Sequence, residues 1–150
     1  MTEPQITRLT EATPDSLSAV NRLLPQLSTH AQPLTLEELQ AIADHSCLFL
    51  LVADGNVAGM LTLTSYRCPT GRKWWVEDVV VDRAWRGRGL GWLLLEHAMA
   101  YARQAGRGTL MLTSRPSRSE ANALYRALGF QPKETNVYTY LFIGSERDNT

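Results

Sequence analysis

The sequence predicts an α/β fold of the α+β type, built on one mixed but mostly antiparallel twisted sheet. Short apolar runs separated by tight turn signals favour antiparallel hairpins. A helical pattern between the strand-like runs 74–82 and 109–113 makes a crossover, so that pair is expected to be parallel. The full order gives about seven strands and about four helices. The 150 residues fit a single domain over residues 1–150.

The first part of the chain reads as a strand followed by two helices. Residues 6–10 alternate between apolar and polar side chains, which is typical of a short strand. Residues 15–27 carry leucine and valine at helical spacing, with Asp15 or Ser16 as the expected N-cap. Thr35-Leu36-Glu37-Glu38 is a capping box that opens a second helix to about Asp44.

The middle of the chain reads as three strands. Residues 47–53 are an apolar run of strand length, and Asp54-Gly55-Asn56 is a tight hairpin signal. Residues 57–66 form the expected return strand. Residues 74–82 are rich in aromatic and β-branched side chains, so they predict a third, long strand.

The second half is predicted to alternate helices and strands. A helix is expected over 90–105, ended by glycine, and a strand over 109–113. Ser117 or Ser119 caps the last helix, which Gly129 stops. Residues 130–133 and 137–143 are expected to be two final strands, and 144–150 a flexible tail.

Composition and charge exclude several functional classes. The chain has 15 basic and 15 acidic residues, whereas nucleic-acid modules carry a clear basic excess. Its two cysteines and three histidines show no metal-ligand spacing and no disulfide framework. The polar N-terminus lacks a signal-peptide core, and no apolar run is long enough to cross a membrane. We therefore expect a cytoplasmic protein that needs no metal, membrane or nucleic acid.

The most informative motif is the glycine-rich turn between the predicted strand 74–82 and the predicted helix 90–105. It reads Arg86-Gly87-Arg88-Gly89-Leu90-Gly91, and a helix N-terminus with flanking arginines suits a pyrophosphate. A Walker A loop needs Gly-Lys-Ser/Thr, but Trp92 follows Gly91. A dinucleotide fingerprint would need glycine at position 92 or 94. Both of those readings fail.

Two blocks resemble the GNAT N-acetyltransferase superfamily. Glu77-Asp78-Val79-Val80-Val81-Asp82 followed by Arg86-x-x-Gly89-x-Gly91 resembles the family's acyl-CoA-binding core. About 35 residues later, the run ending in Tyr125-x-x-x-Gly129-Phe130 resembles its later helix. The resemblance implies a single GNAT-like domain that binds acetyl-CoA as co-substrate. Its sheet is expected to splay between the strand 74–82 and the strand near 109–113.

The resemblance also implies which residues hold the cofactor. The pantetheine arm is expected along the opened backbone edge, and the pyrophosphate on the glycine-rich turn. The implied cofactor-binding residues are Val79, Val80, Val81, Arg86, Gly87, Arg88, Gly89, Leu90, Gly91 and Arg118. Arg118 stands where many family members have an asparagine, so the role of this position is left open.

Three residues are the catalytic candidates. Tyr125 matches the family tyrosine that hydrogen-bonds the CoA sulfur. Glu77 and Asp78 are alternative general bases, since family members often carry a carboxylate near this strand position. Neighbouring strand residues face opposite sides, so at most one would enter a shared cleft unless a bulge intervenes.

The expected activity is transfer of an acetyl group from acetyl-CoA to a primary amine of a small molecule, peptide or protein, by direct attack. The alternative is an acyl-CoA-binding sensor without turnover. Trp75 and Tyr138 are candidate walls of the acceptor site. A homodimer is a further expectation, because dimers are common among similar proteins.

Overall fold

The computed structural model describes residues 3–143 of the chain. They form four α-helices, a short 3-10 turn and a five-stranded sheet. The strands are β1 (Gln5–Arg8), β2 (Cys47–Ala53), β3 (Asn56–Cys68), β4 (Gly71–Val81) and β5 (Thr109–Met111). The helices are α1 (Pro14–Leu27), α2 (Leu36–His45), α3 (Leu90–Gln104) and α4 (Ser119–Ala127), with the 3-10 turn at Arg83–Trp85.

The sheet is mixed, as the sequence predicts. Its strands lie in chain order from β1 to β5. The first three pairings are antiparallel, and β4 pairs with β5 in parallel. Helix α3 makes the crossover between these last two strands, which explains why they run in the same direction.

The sheet has five strands rather than about seven, so the expectation of two final strands is wrong. Residues 131–143 form no strand pairing and are exposed throughout. A strand needs a partner backbone as well as suitable side chains, and within residues 3–143 this segment pairs with no strand. Residues 144–150, the predicted tail, lie outside the described residues.

Two apolar layers pack on opposite faces of the sheet. Alternate residues of β2 enter each layer, with Phe49 and Leu51 beneath α3 and α4, and Leu48 and Leu50 beneath α1 and α2. A strand covered on both faces is apolar throughout. This is why the run 47–53 does not alternate.

Local capping chemistry sets the starts of α1 and α2. Thr35 and Glu38 form the expected capping box at α2. The N-cap of α1 is Thr13 rather than Asp15 or Ser16, because Thr13 forms a box with Ser16 and Pro14 occupies the first helical position. The expectation that Ser117 or Ser119 caps α4 is wrong, because its N-cap is Arg118, which makes no side-chain cap hydrogen bond. Within residues 3–143, every helix is too short or too polar to cross a bilayer.

Candidate active site

A β-bulge in β4 determines which way its side chains point. Asp78 and Val79 together lie opposite Leu61 of β3, and Asp78 has a φ of 51°. Asp is one of the few non-glycine residues that tolerate this left-handed conformation. Val76 before the bulge and Val79 after it both pack in the layer beneath α3, which normal alternation would forbid. The bulge thus resets the alternation at the carboxylate pair.

The parallel strands β4 and β5 diverge beyond their first contacts. They pair only between Lys73–Trp75 and Thr109–Met111. Past this point a cleft of about 1130 Å³ opens, lined by Val79, Val80 and Val81 on one side and by Thr113 and Ser114 on the other. Among the described residues, this stretch of β4 has a strand partner only on its β3 side. The opened edge offers peptide groups to a ligand that can hydrogen-bond them.

A short 3-10 turn, Arg83–Trp85, connects β4 to the glycine-rich turn. The Asp82 carboxylate accepts a hydrogen bond from the Ala84 N–H and pairs with Arg22 of α1. Burial alone would raise the pKa of this carboxyl, but the hydrogen bonds from Ala84, Gln26 and Arg22 lower it below its usual range. Asp82 is therefore a structural anion that ties the turn to α1.

Two glycines of the turn adopt positive φ values, which residues with a side chain rarely do. Gly87 and Gly89 have φ values of 79° and 74°. Gly89 is the N-cap of α3 and supplies no side-chain hydrogen bond, so the first N–H groups of the helix keep their donor capacity. The cleft is bordered here by Gly87, Gly89, Leu90 and Gly91. An anion fits such a helix start.

The three predicted cofactor-binding arginines are placed differently. Arg86 lines the cleft, and its Nε donates a hydrogen bond to the Val81 carbonyl oxygen at 3.0 Å. Arg118, the N-terminal flanking residue of α4, lines the opposite wall. Arg88 is not among the residues that line the cleft, and its guanidinium lies 4.7 Å from the centre of the Trp85 ring. The structure therefore brings two of the three to the cleft.

The Tyr-x-x-x-Gly-Phe motif fixes one side chain at the cleft. Gly129 ends α4 with a φ of 101°, and the Phe130 N–H donates to the Tyr125 carbonyl oxygen at 3.0 Å. This is a helix C-cap that depends on glycine. The Phe130 ring then packs edge-on against the Tyr125 ring, with 6.1 Å between centres. Tyr125 is half-buried and lines the cleft.

Partial burial keeps Tyr125 in its protonated form. Burial raises the pKa of its phenol, although the nearby Arg118 charge opposes the rise. The phenolate would lose hydration in the cleft, so the neutral O–H is favoured. Tyr125 is thus a hydrogen-bond donor throughout the neutral range.

Glu77 and Asp78 lie at the bulge beside the cleft and are not among its lining residues. Burial raises the pKa of the Glu77 carboxyl, and the charge of Asp78 raises it further. Burial also raises the pKa of Asp78. A carboxyl with a raised pKa is a stronger base than an ordinary one, which meets one requirement of a general base.

The two aromatic candidates for the acceptor site, Trp75 and Tyr138, differ in their burial. Trp75 is half-buried, and its Nε1 donates to the Tyr66 hydroxyl at 3.3 Å. Tyr138 is 87% exposed and is absent from the cleft lining. Tyr66, which is 50% exposed, lies on β3 beside Trp75 of β4. It ends the predicted strand 57–66, which the structure extends to Cys68 and pairs with β4.

Thr113 and Ser114 also line the cleft and were not anticipated. Among the described residues, the buried Ser114 hydroxyl has no hydrogen-bond partner. The two residues carry no sequence signal, because they border the cleft only where β5 ends and the chain turns toward α4. Val137 lines the cleft as well. In the described part of the chain, no three His, Cys, Asp or Glu side chains cluster as metal ligands would.

The fold and the cleft together define an α/β protein with a ligand site between two diverging parallel strands. The model of the acetyltransferase (GNAT) family matches residues 14–130. The chain belongs to this family.

Two relatives cover most of the chain. Glucosamine 6-phosphate N-acetyltransferase 1 of Oryza sativa subsp. japonica is 34% identical over 83% of this chain and 78% of its own length. Aminoglycoside N(6')-acetyltransferase type 1 of Stenotrophomonas maltophilia is 31% identical over 85% of this chain and 88% of its own. Because these relatives are named N-acetyltransferases, the chain is an acyltransferase of the acetyl-CoA-dependent type.

A solved structure shares the fold. AAC(6')-Iy, in complex with the bisubstrate analogue CoA-S-monomethyl-acetylneamine, superposes with a TM-score of 0.77 and 20% identity. The match covers 95% of this chain and all of the other. At this identity the likeness supports the arrangement of strands and helices alone.

Proposed function

We propose that the protein transfers the acetyl group of acetyl-CoA directly to a primary amine of a small molecule, peptide or protein. The observation that carries this proposal is the cleft itself. One cavity is bordered by an opened strand edge, a glycine-rich helix start and the half-buried Tyr125. These three borders suit the amide-bearing arm, the pyrophosphate and the thioester sulfur of one ligand.

We place the pantetheine arm along Val79–Val81. Its amides would pair with peptide groups that have no strand partner on the cleft side. The pyrophosphate would accept hydrogen bonds from the N–H groups of the turn 87–91. Arg86 and Arg118 would add charge from the two walls, and each charge-assisted contact contributes about 1.5–3 kcal/mol.

The acceptor amine must first lose a proton. An alkylammonium has a pKa near 10.4, about that of lysine, and has no lone pair to attack a carbonyl. Glu77 is the proposed base and Asp78 its alternative, acting directly or through one water. The proton passes to the carboxylate, and the amine nitrogen then forms its bond to the acetyl carbon.

The tetrahedral oxyanion and the departing thiolate both need hydrogen-bond donors. The backbone N–H of Val79 or Val80 is the proposed oxyanion donor. Tyr125 is the proposed donor to the CoA sulfur, because its phenol stays protonated while a thiol of pKa near 8.5 leaves. As the intermediate collapses, the carbon–sulfur bond breaks and the nitrogen gives up its second proton to the departing thiolate, which leaves CoA as the free thiol and the acetylated amine.

The acceptor surface is proposed on the sheet face next to the bulge. Trp75 and Glu77 are two residues apart on β4, so they share a face. Their partners across the strand pair are Thr64 and Thr62, and Tyr66 follows on the same side. This patch combines a carboxylate, hydroxyls and aromatic rings, which suits a cationic amine with hydroxyl groups.

The experiment is a thiol-release assay with acetyl-CoA and a panel of amines. The panel holds glucosamine 6-phosphate, an aminoglycoside, a peptide with a free N-terminus and free lysine, since the relatives' names point first to amino sugars. The proposal expects amine-dependent thiol release with at least one of them. Saturable CoA binding with no release across the panel would instead indicate a sensor.

A further inference from the structure

One part of the sheet, the β3–β4 strip, lies beyond the buried layer that α1 and α2 form. Trp74 and Val76 of β4 pack in the layer beneath α3, so the residues that alternate with them face the other side of the sheet. On that side, the layer beneath α1 and α2 includes only Val80 of β4. The strip consists of six side chains, none of them fully buried: Lys73, Trp75 and Glu77 of β4, and Thr62, Thr64 and Tyr66 of β3.

The two ends of the β3–β4 strip carry opposite charges. Glu77 lies at the end next to the bulge. Lys73 lies earlier on β4, about 13 Å away along an extended strand. Within residues 3–143 the Lys73 ammonium forms no salt bridge, and its recorded electrostatic neighbour is the Cys68 thiol. The carboxylate and the ammonium therefore do not neutralise each other, and both face a ligand that lies on the strip.

Two aromatic rings lie between the charged ends. Nε1 of Trp75 donates to the Tyr66 hydroxyl at 3.3 Å, which fixes the two rings relative to each other. Thr64 lies opposite Trp75, and Tyr66 lies opposite Lys73. The middle of the strip thus offers ring surface and hydroxyl groups without a charged side chain.

We propose that the acceptor is a dipolar amine, whose amino group lies at Glu77 and whose carboxylate or phosphate group lies at Lys73. This inference rests on the proposed acetyl transfer, in which Glu77 is the base. Each end of the strip attracts one charge of such a molecule and repels the other, so the reversed orientation is disfavoured. Lys73 is therefore a specificity-determining residue that directs the amino group toward the thioester.

The spacing of the two ends limits the size of the acceptor. The side chains of Lys73 and Glu77 bend toward the middle of the strip, so a molecule shorter than about 13 Å still reaches both. A tripeptide spans at most about 10 Å. Short peptides with a free carboxylate and amino sugars with a phosphate group belong to this class. An amidated peptide or a neutral amino sugar lacks the contact with Lys73.

The test compares acceptors that differ only in the distal charge. Triglycine is paired with triglycinamide, and glucosamine 6-phosphate with glucosamine. Affinities are measured by NMR titration of the folded full chain without acetyl-CoA, so the result does not depend on transfer. At least one anionic acceptor is expected to bind about 5–10-fold more tightly than its neutral partner, between the effects of an exposed ion pair and a charge-assisted hydrogen bond. The pair that shows this preference distinguishes carboxylate from phosphate.

Substitutions assign the preference to one side chain. Lys73→Gln removes the charge at the end of the strip. Arg67→Gln is the matched control, because Arg67 lies in the same hairpin and follows Tyr66, so its side chain faces the other side. The preference for the anionic acceptor is expected to disappear in Lys73→Gln, to persist in Arg67→Gln and to return in Lys73→Arg. Circular dichroism checks that each variant is folded.

Two results would overturn the inference. One is equal binding of the anionic and neutral acceptors in both pairs by the wild type, and the other is a preference that Lys73→Gln retains. Thiol release with acetyl-CoA separates these results from the transfer itself. Charge-dependent binding without release would contradict acetyl transfer alone, whereas release with equal kcat/KM for both members of each pair would contradict the dipolar acceptor alone.

Discussion

Partial burial acts on Tyr125 and on the carboxyl pair at the bulge in the same direction, with different chemical consequences. It raises the pKa of the Tyr125 phenol, which keeps a proton available for donation. It also raises the pKa values of Glu77 and Asp78, which makes each a stronger base than a fully hydrated carboxylate. Desolvation therefore favours both the acid and the base of the proposed reaction, although Tyr125 lines the cleft and the two carboxyls lie beside it.

Tyr125→Phe removes the proposed donor to the sulfur and keeps the ring that packs on Phe130. We expect turnover to fall by about 10²–10⁴-fold, the usual contribution of a positioned acid, while CoA affinity and the melting temperature stay close to wild type. Steady-state thiol release and thermal unfolding measure the two effects. An unchanged rate with the best amine would remove Tyr125 from the mechanism.

Glu77→Gln is expected to abolish most activity at neutral pH, whereas Asp78→Asn is expected to retain more. In the wild type, activity should fall as pH drops through the raised pKa of Glu77, because the base becomes protonated. The log of kcat/KM against pH for the three proteins checks this. Loss of the acidic limb in Asp78→Asn, with the limb retained in Glu77→Gln, would assign the base to Asp78 instead.

The same carboxyls make a stability prediction with a definite sign. Their raised pKa values mean that the folded state binds more protons than the unfolded state between the ordinary and the raised pKa. Stability should therefore decrease as pH rises through that window. Asp78→Asn removes the part of this decrease that is due to Asp78, and Asn tolerates the left-handed φ of 51°. Melting temperatures across the acidic range should show a flatter profile for the variant, and a steeper one would contradict the sign.

Arg86→Ala is expected to weaken CoA binding by about 1.5–3 kcal/mol, the cost of one charge-assisted contact. Arg83→Ala is the matched control, because Arg83 lies three residues earlier and does not line the cleft. Calorimetric titration of both variants measures the difference. Equal affinities for the two variants would show that the charge of Arg86 is not used for CoA.

At the scale of elements, β4, the glycine-rich turn and the start of α3 form one unit that borders the cleft. The bulge moves Val79 into the α3 layer, and Arg86 holds the end of β4 by donating to the Val81 carbonyl. Helix α3 then begins at Gly89 without a side-chain cap. One continuous stretch of chain therefore forms both the opened edge of β4 and the uncapped start of α3.

Gly89→Ala and Gly91→Ala are expected to have opposite effects. Gly89 has a φ of 74°, and alanine in that conformation costs about 1–2 kcal/mol. Gly91 lies within α3, and an added Cβ would meet Leu124 at an ordinary 3.5 Å. Alanine there should stabilise the fold by about 0.5–1 kcal/mol. Thermal unfolding checks both, and a stabilised Gly89→Ala would contradict the assigned backbone conformation.

Local chemistry explains which elements the sequence could predict. The Thr35 capping box, the uniform run of β2 and the glycine that ends α4 each act over a few residues, so their effects are visible in the chain. The bulge at Asp78 was foreseen only as an option, because its position depends on the register against Leu61. Ser114 was not placed at the cleft, since only the tertiary arrangement brings it there.

At the scale of the whole molecule, the two apolar layers leave one side of the sheet unfinished. The two strands that the sequence predicted but the structure lacks, 130–133 and 137–143, would have followed α4. Residues 131–143 carry apolar side chains like those of a strand, yet a strand needs a partner edge, and within residues 3–143 no strand pairs with them.

The central claim is that the opened strand edge and the glycine-rich turn together hold CoA. Titration calorimetry of the folded full chain with CoA tests it most directly. The account predicts saturable binding with one CoA for each chain, weakened but not lost in Arg86→Ala. Absence of saturation at millimolar CoA, with protein shown to be folded by circular dichroism, would contradict it.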